Sequence, residues 1–309
     1  MYTMKQVCDD VLSGKRPYVS NLIRAEDASD KKKAIRLVAL DMDGTLFNNQ
    51  SQISGEDQNA IRSAAAQGVT VVISTGRPYI GLPVPLLTRL GIRYAITSGG
   101  AAIYRLPERE CIYECSMEPE LVCPIIEELQ KKDIHMDAFI DGNGYSKRSC
   151  EPNISRLVMP ESIRRYIRET RTFTDDLAAY IKDNHLAVQK MTLNFYPLPD
   201  GTFQSREEVR AFLASHPEIT FLSGGYHNLE FTRAGTTKGK GLRFLCEYLG
   251  IPLEETMACG DTQNDIDILK TAAIGVAMGN AIDEVKAVAD FVTRSNEESG
   301  VAHAIRTFI

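Results

Sequence analysis

Four aspartates are spaced so that they can act together on a metal ion and a phosphate. Asp41 and Asp43 lie in DMDGT (41–45), directly after the apolar run Ile35–Leu40, while Asp261 and Asp265 lie in GDTQND (260–265), directly after Thr256–Cys259. In an extended strand the side chains at i and i+2 share a side, so 41 and 43 are expected to converge at the strand's carboxyl end. If both runs belong to one parallel sheet, all four acids meet at one edge, where open α/β sheets bind ligands. Carboxylates that close repel unless a cation intervenes. Neither motif contains His or Cys, so the donors are hard oxygens suited to Mg²⁺, kept partly hydrated until a substrate phosphate completes its shell. The plain alternative is that each Asp caps a turn or a helix, as Asp before Gly or Asn often does. Two acidic motifs, each ending an apolar strand, favour the metal.

A carboxylate on such a metal can also be a nucleophile. Asp41 would attack phosphorus to give an aspartyl-phosphate. Asp43 would protonate the leaving oxygen and later take a proton from the hydrolytic water. The equatorial oxygens of a phosphoryl group need cations or N–H groups around them. Thr75 and Gly76, in STGRP (74–78), offer a hydroxyl and an open amide, and Asn264 is a further donor. Lys238, in TTKGK (236–240), would add an ammonium to a helix N-terminus beneath a phosphate, with Lys240 as its competitor.

The elements that must hold these residues follow from periodicity and turn residues. Strands are expected at Ile35–Leu40, Val69–Ser74 and Tyr94–Thr97. A helix opened by a capping box at Ser54–Asp57 runs to Gly68, and another follows Pro78 to about Leu90. This βα alternation means a parallel sheet. From about 116 to 234 the pattern changes to helical runs (Glu120–Lys132, Asp175–Asn184, Arg206–Ser215) mixed with strands (Ala187–Phe195, His227–Thr232). The βα rhythm then returns with helix Lys238–Leu249, strand Thr256–Cys259, helix Asn264–Ala272, strand Ile274–Met278, helix Ala281–Ala289 and strand Phe291–Thr293. The expected organisation is an α/β core, 35–115 with 235–309, interrupted by an inserted α+β domain, 116–234, and preceded by an extension, 1–34.

Composition narrows the class. With 309 residues, 43% hydrophobic content and ordinary Gly and Pro counts, the chain can bury a core without staples, and disorder, collagen and coiled coil are excluded. Apolar runs are too short to span a membrane. Residues 1–34 lack the apolar segment of a secretory signal, and Met4–Leu12 could form one amphipathic helix there. Seven scattered cysteines fit reduced thiols in a cytoplasmic protein. Cys111, Cys115 and Cys123 cluster, but without the spacing of a zinc site. A net charge of −6 argues against nucleic acid as a partner, which wants a basic face.

The four motifs DMDGTL (41–46), STGRP (74–78), Lys238 and GDTQND (260–265), in this order, resemble those of the haloacid-dehalogenase-like (HAD) phosphohydrolases. IGVAMGNA (274–281), DFVT (290–293) and GVA (300–302) are similar to the Cof-type branch, subclass IIB. The resemblance covers about residues 35–309. It implies a Rossmann-like parallel sheet core with an α+β cap inserted between the second and third motifs. It makes Asp41 the nucleophile and a Mg²⁺ ligand, and Asp43 the general acid/base whose backbone carbonyl also binds the metal. Asp261 is then a direct ligand and Asp265 one that often acts through water. Met42 lends a backbone amide to the phosphate, alongside Thr75, Gly76, Asn264 and Lys238, which it favours over Lys240. Where the branch usually has Asn-Gly after the third strand, this chain has Gly99-Gly100. The implied activity is a Mg²⁺-dependent phosphatase acting on a small phosphorylated metabolite, with sugar phosphates the leading class. A phosphomutase shares the first step. A non-catalytic phosphometabolite sensor would have lost a nucleophile or ligand, and a DxD-type glycosyltransferase leaves Lys238 and 260–265 without a role. The side chains that choose the leaving group are not readable, though Arg148, Arg164 and Arg165 are cationic candidates, and the oligomeric state is unreadable too.

Overall fold

The computed structural model describes residues 35–309, so the expected Met4–Leu12 helix and the 1–34 extension lie outside the described residues. Its strands are β1 (Leu37–Leu40), β2 (Thr70–Ser74), β3 (Tyr94–Thr97), β4 (Ala102–Arg105), β5 (Glu110–Glu114), β6 (His135–Ile140), β7 (Asn143–Lys147), β8 (Arg171–Thr174), β9 (Lys190–Asn194), β10 (Ile219–Ser223), β11 (Leu229–Arg233), β12 (Thr256–Gly260), β13 (Ile274–Ala277) and β14 (Phe291–Val292). Its helices are α1 (Gly55–Ala66), α2 (Val84–Arg89), α3 (Pro119–Leu129), α4 (Glu161–Thr170), α5 (Leu177–Asp183), α6 (Arg206–Ala214), α7 (Lys238–Leu249), α8 (Ile266–Thr271), α9 (Asp283–Lys286) and α10 (Gly300–Phe308). The described chain forms two compact units, one of residues 35–72 with 246–309 and one of 73–245, and passes between them within β2 and within α7.

In the first unit β1 pairs parallel with β12, β12 with β13 and β13 with β14. These strands are short and almost wholly apolar, and β1, β12 and β13 are buried along their entire length. That is the pattern of parallel strands covered on both faces. The register Leu40↔Cys259 brings the carboxyl ends of β1 and β12 level. Thr70 N–H donates to Arg36 O at 2.8 Å as β2 begins.

Half of the capping box expected at Ser54–Asp57 is present: Ser54 Oγ accepts from Asp57 N–H at 3.0 Å, while the Asp57 carboxylate turns to other donors than the Ser54 N–H. Asp57 does more than cap its own helix. Its buried carboxylate accepts from Ser54 Oγ at 2.7 Å and from Ala302 N–H, in the first turn of α10, at 2.7 Å. Burial is the largest influence on this carboxyl and raises its pKa, against the lowering by Ser54 and Ala302. The native state therefore holds the proton more tightly than the unfolded chain. Its contribution to stability falls as pH rises from the ordinary carboxylate range through the raised value. Because the charge is already disfavoured, Asp57→Asn should cost less than Asp57→Ala. The alanine variant leaves Ala302 N–H without its acceptor and should lose about 2 kcal/mol, near 4–8 °C in Tm. Calorimetry of the two variants checks the order.

In the second unit β3, β4 and β5 form an antiparallel meander, so the parallel rhythm stops at β3. A separate six-stranded sheet has the order β10-β11-β9-β6-β7-β8, with only β7 and β8 parallel. Its alternation divides the two faces. Met136, Ala138, Ile140, Met191, Leu193 and Phe231 join one apolar core with α3, α5 and α6. His135, Asp137, Ser146, Lys190 and Thr192 occupy the alternate positions and are buried although polar. Lys190 and Thr192 pair with Glu230, and Ser146 with Asp137, whereas His135 Nδ1 is left without a hydrogen-bond partner. Asp137 takes hydrogen bonds from Ser146 and Arg171 and lies 3.1 Å from His135 Nε2. Burial alone would raise the Asp137 carboxyl, but Arg171, followed by His135 and Ser146, outweighs it and holds the group well below the usual range. Among the described residues no helix is long and apolar enough to cross a membrane.

Candidate active site

Three of the four expected aspartates come together at the carboxyl ends of β1 and β12. Asp41, Asp261 and Asp265 are all buried, and each offers an oxygen within 4.8 Å of the others'. The adjacency of the strands explains this: Asp41 N–H continues the ladder to Cys259 O at 3.1 Å, and Asp261 is the first residue past β12. The donors are carboxylates alone. Burial pushes the thiol of neighbouring Cys259 up to about 12, so it is a neutral bystander at pH 7. Such a donor set fits a hard divalent cation.

The side chain of Asp43 departs from the expected convergence. It is exposed and stands outside the three-carboxylate group. β1 ends at Leu40, and past Asp41 the chain turns, with Asp43 in an isolated bridge to Phe47, so the i, i+2 rule does not reach Asp43. Met42 is buried, and its carbonyl accepts from Phe47 N–H at 2.8 Å.

Asp265 is both a cap and a cluster member. Its Oδ2 accepts from the N–H groups of Asp261 (3.1 Å) and Thr262 (3.0 Å), closing a capping box with Thr262. Asn264, half-buried in the same short turn, accepts from Thr262 Oγ1 at 3.0 Å through its Oδ1. Two residues outside the expected set also shape this edge. Thr45 Oγ1 donates to Asp261 Oδ1 at 2.9 Å, and Asn280 Nδ2 donates to Gly44 O at 2.8 Å. Both belong to the recognised motifs, DMDGTL and IGVAMGNA, which was the available signal.

The remaining expected residues belong to the second unit, where they are neighbours. Thr75 is buried at the end of β2; its N–H donates to Ile96 O at 2.8 Å and its carbonyl accepts from Gly99 N–H at 3.1 Å. Gly100 (φ 105°) lies so close to the backbone before Lys238 that a Cβ there would sit 2.1 Å from Thr237 O. The turn Ser98–Gly100 thus bridges the Thr75–Gly76 turn and the first residue of α7. Lys238 is 1% exposed, whereas Lys240 is exposed. Gly99, where the branch usually has Asn, has φ 70° and open space where a Cβ would stand. Of the candidate arginines, Arg164 donates to Leu157 O and Met159 O, Arg148 to Asp175 and Phe173 O, and Arg165 is exposed.

Parallel strands whose carboxyl ends gather three buried aspartates define an α/β protein with an edge that could hold a cation. The haloacid dehalogenase-like hydrolase family matches residues 38–305, and the chain belongs to that family, in its Cof-type branch. It is 32% identical to the phosphatase YwpJ of Bacillus subtilis over 283 residues, covering 88% of this chain and 99% of the relative. It is also 32% identical to the 5-amino-6-(5-phospho-D-ribitylamino)uracil phosphatase YcsE of the same organism, covering 89% and 96%. Among solved structures it is similar to the HAD subclass IIB sugar phosphatase BT4131, with a TM-score of 0.70 and 28% identity over 88% of this chain and 98% of that one. A haloacid dehalogenase-like hydrolase from B. subtilis gives a TM-score of 0.73 at 28% identity, over 89% and 100%.

Proposed function

We propose that this hydrolase is a Mg²⁺-dependent phosphatase that removes phosphate from a small metabolite, with sugar and polyol phosphates as the class. The convergence of Asp41, Asp261 and Asp265 carries the reading. Asp41, Asp261, Asp265 and the Asp43 backbone carbonyl would hold the ion, which offsets negative charge between the carboxylates and an incoming phosphate. Asp41 forms a bond to phosphorus as the ester P–O bond breaks, and Asp43 gives its proton to the departing alkoxide. Water then attacks phosphorus and passes a proton to Asp43, freeing phosphate and the Asp41 carboxylate. An exposed Asp43 outside the carboxylate group suits proton exchange with substrate and water.

The Met42 amide, Thr75, Gly76, Lys238 and Asn264 take the roles of phosphate contacts. Residues 116–234 act as the cap that selects the leaving group. The class of substrate is supported by relatives named for a phosphoribitylamino-uracil and for sugar phosphates. Six free thiols among the described residues support a reducing, cytoplasmic setting.

The test is phosphate release from a panel of sugar and polyol phosphates with Mg²⁺ or with EDTA. Turnover of at least one substrate is expected with Mg²⁺ and background with EDTA. Saturating Mg²⁺, at about 100 times its Kd, should also stabilise by about 2.7 kcal/mol and raise Tm by about 5–11 °C. No release from any substrate, or equal release in EDTA, overturns the reading.

A further inference from the structure

We infer that Lys190 is a positioning residue for the Thr75–Gly76 turn, one that sets the Thr75 hydroxyl as a hydrogen-bond donor to a phosphate oxygen. The inference rests on the phosphate-binding role proposed above for that turn.

Lys190 opens β9 on the polar face of the six-stranded sheet and is only 4% exposed. A buried ammonium is costly unless it is paired and hydrogen-bonded. Its Nζ donates to Glu230 Oε2, on neighbouring β11, at 2.7 Å, and to Gly76 O at 2.6 Å. The other Glu230 oxygen accepts from Thr192 Oγ1 at 3.5 Å, so the carboxylate is itself fixed. The sheet has no need of this cation for its own core, which the opposite face builds from Met191 and Leu193. What the cation reaches is a carbonyl 114 residues away in the chain.

That carbonyl and the N–H of Arg77 are the two ends of one planar peptide, so holding one aims the other. Arg77 N–H donates to Thr75 Oγ1 at 3.1 Å. A charge-assisted bond on the carbonyl polarises the peptide and strengthens its N–H as a donor. A threonine hydroxyl has one hydrogen and two lone pairs. With Arg77 N–H on a lone pair, the hydroxyl is biased to give its own hydrogen elsewhere. Thr75 N–H to Ile96 O, Gly99 N–H to Thr75 O and Ser98 N–H to Arg77 O hold the neighbouring peptides of the turn and not the Gly76–Arg77 peptide itself. Lys190, fixed by Glu230, holds that one.

The test is a double-mutant cycle on the full chain with Lys190→Met and Thr75→Val. It is read by calorimetric binding of inorganic phosphate in Mg²⁺ and by kcat/KM on a phosphomonoester. Each single variant should weaken phosphate binding about tenfold, and the double variant should bind no worse than Thr75→Val, because both remove one donor. Lys190→Met leaves Glu230 without its cation, so Lys190→Met/Glu230→Gln serves in its place if the single variant fails to fold. Unchanged phosphate affinity in the lysine variant, or losses that multiply in the double variant, overturns the inference and leaves the proposed function standing. A wild-type chain that neither binds phosphate nor hydrolyses any ester overturns both.

Discussion

Asp41→Asn should abolish turnover, by about 10⁴-fold or more in kcat, while leaving a folded protein. An amide cannot attack phosphorus as a carboxylate does, and the substitution changes neither the size nor the burial of the side chain. The same change carries a second, opposite signature. Asp41, Asp261 and Asp265 crowd buried carboxylates within 4.8 Å, and like charges at that separation repel. Removing one charge in metal-free buffer relieves that repulsion, so the Tm of Asp41→Asn in EDTA should exceed wild type by about 2–4 °C, the equivalent of roughly 1 kcal/mol. In Mg²⁺ the order should reverse, because the wild type alone keeps the full donor set. Asp43→Asn separates the two effects: its exposed side chain stands outside the carboxylate group, so it should lower kcat while retaining the Mg²⁺-dependent rise in Tm. Steady-state kinetics and melting curves in both buffers check all three statements. Residual wild-type turnover in Asp41→Asn would remove it as nucleophile.

Asp41 and Asp261 were legible because each ends an apolar run, and two parallel strands of equal reach bring such ends level. Only local chemistry was needed for that. Asp43 was misplaced in its side chain because strand alternation was carried two residues past Leu40, into a turn that obeys no period of two. For Asp265 the cap and cluster readings stood as rivals, and both describe it: a short Thr262–Asp265 turn lets one carboxylate accept backbone N–H groups and still face the cluster. Thr45 lies inside the recognised DMDGTL motif, but no local pattern pairs its hydroxyl with Asp261, so its part in the site was passed over.

The same limit governs the second unit. Strands β9 and β11 were expected, but β6, β7, β8 and β10 were not. His135 and Asp137 put charge and polarity at buried positions of β6, which discourages a strand reading until Ser146, Arg171 and His135 itself are seen to pair with Asp137. Helix α4 was also not expected, although Ile163, Tyr166 and Ile167 form an i, i+3, i+4 stripe on it; its Glu and Arg, which fill most of the other positions, masked that short face. Local pattern finds elements that bury apolar surface. It passes over those whose buried groups are polar and paired through the fold, and even in the expected β9 it gave no sign that Lys190 reaches Gly76 O.

Gly44→Ala should cost about 100-fold in Mg²⁺ affinity, although position 44 contributes no side chain to the cation. Two independent facts point the same way. Gly44 has φ 85°, a region that an L side chain seldom adopts, and a Cβ built there would stand 2.3 Å from Asp261 Oδ2. Asp261 cannot simply yield, because its Oδ1 is held by Thr45 Oγ1 at 2.9 Å and its carbonyl by Ile282 N–H at 3.1 Å. The carboxylate must either leave the cluster or force the 41–45 turn away from Asn280, which anchors Gly44 O. Either route misplaces a metal ligand, and loss of ligand orientation typically costs 10–100-fold in affinity. Thr45→Val is the milder companion: it frees Asp261 Oδ1 without a collision and should cost about tenfold. Titration of Mg²⁺ by calorimetry, with phosphate release measured at saturating Mg²⁺, distinguishes the two routes. If the cluster is only displaced, high Mg²⁺ restores much of kcat in Thr45→Val and little of it in Gly44→Ala, where the turn that carries Asp41 and Asp43 is itself deformed. Wild-type Mg²⁺ affinity in Gly44→Ala would mean that the turn and Asp261 can separate without harm, and that the metal-binding edge is not built as described.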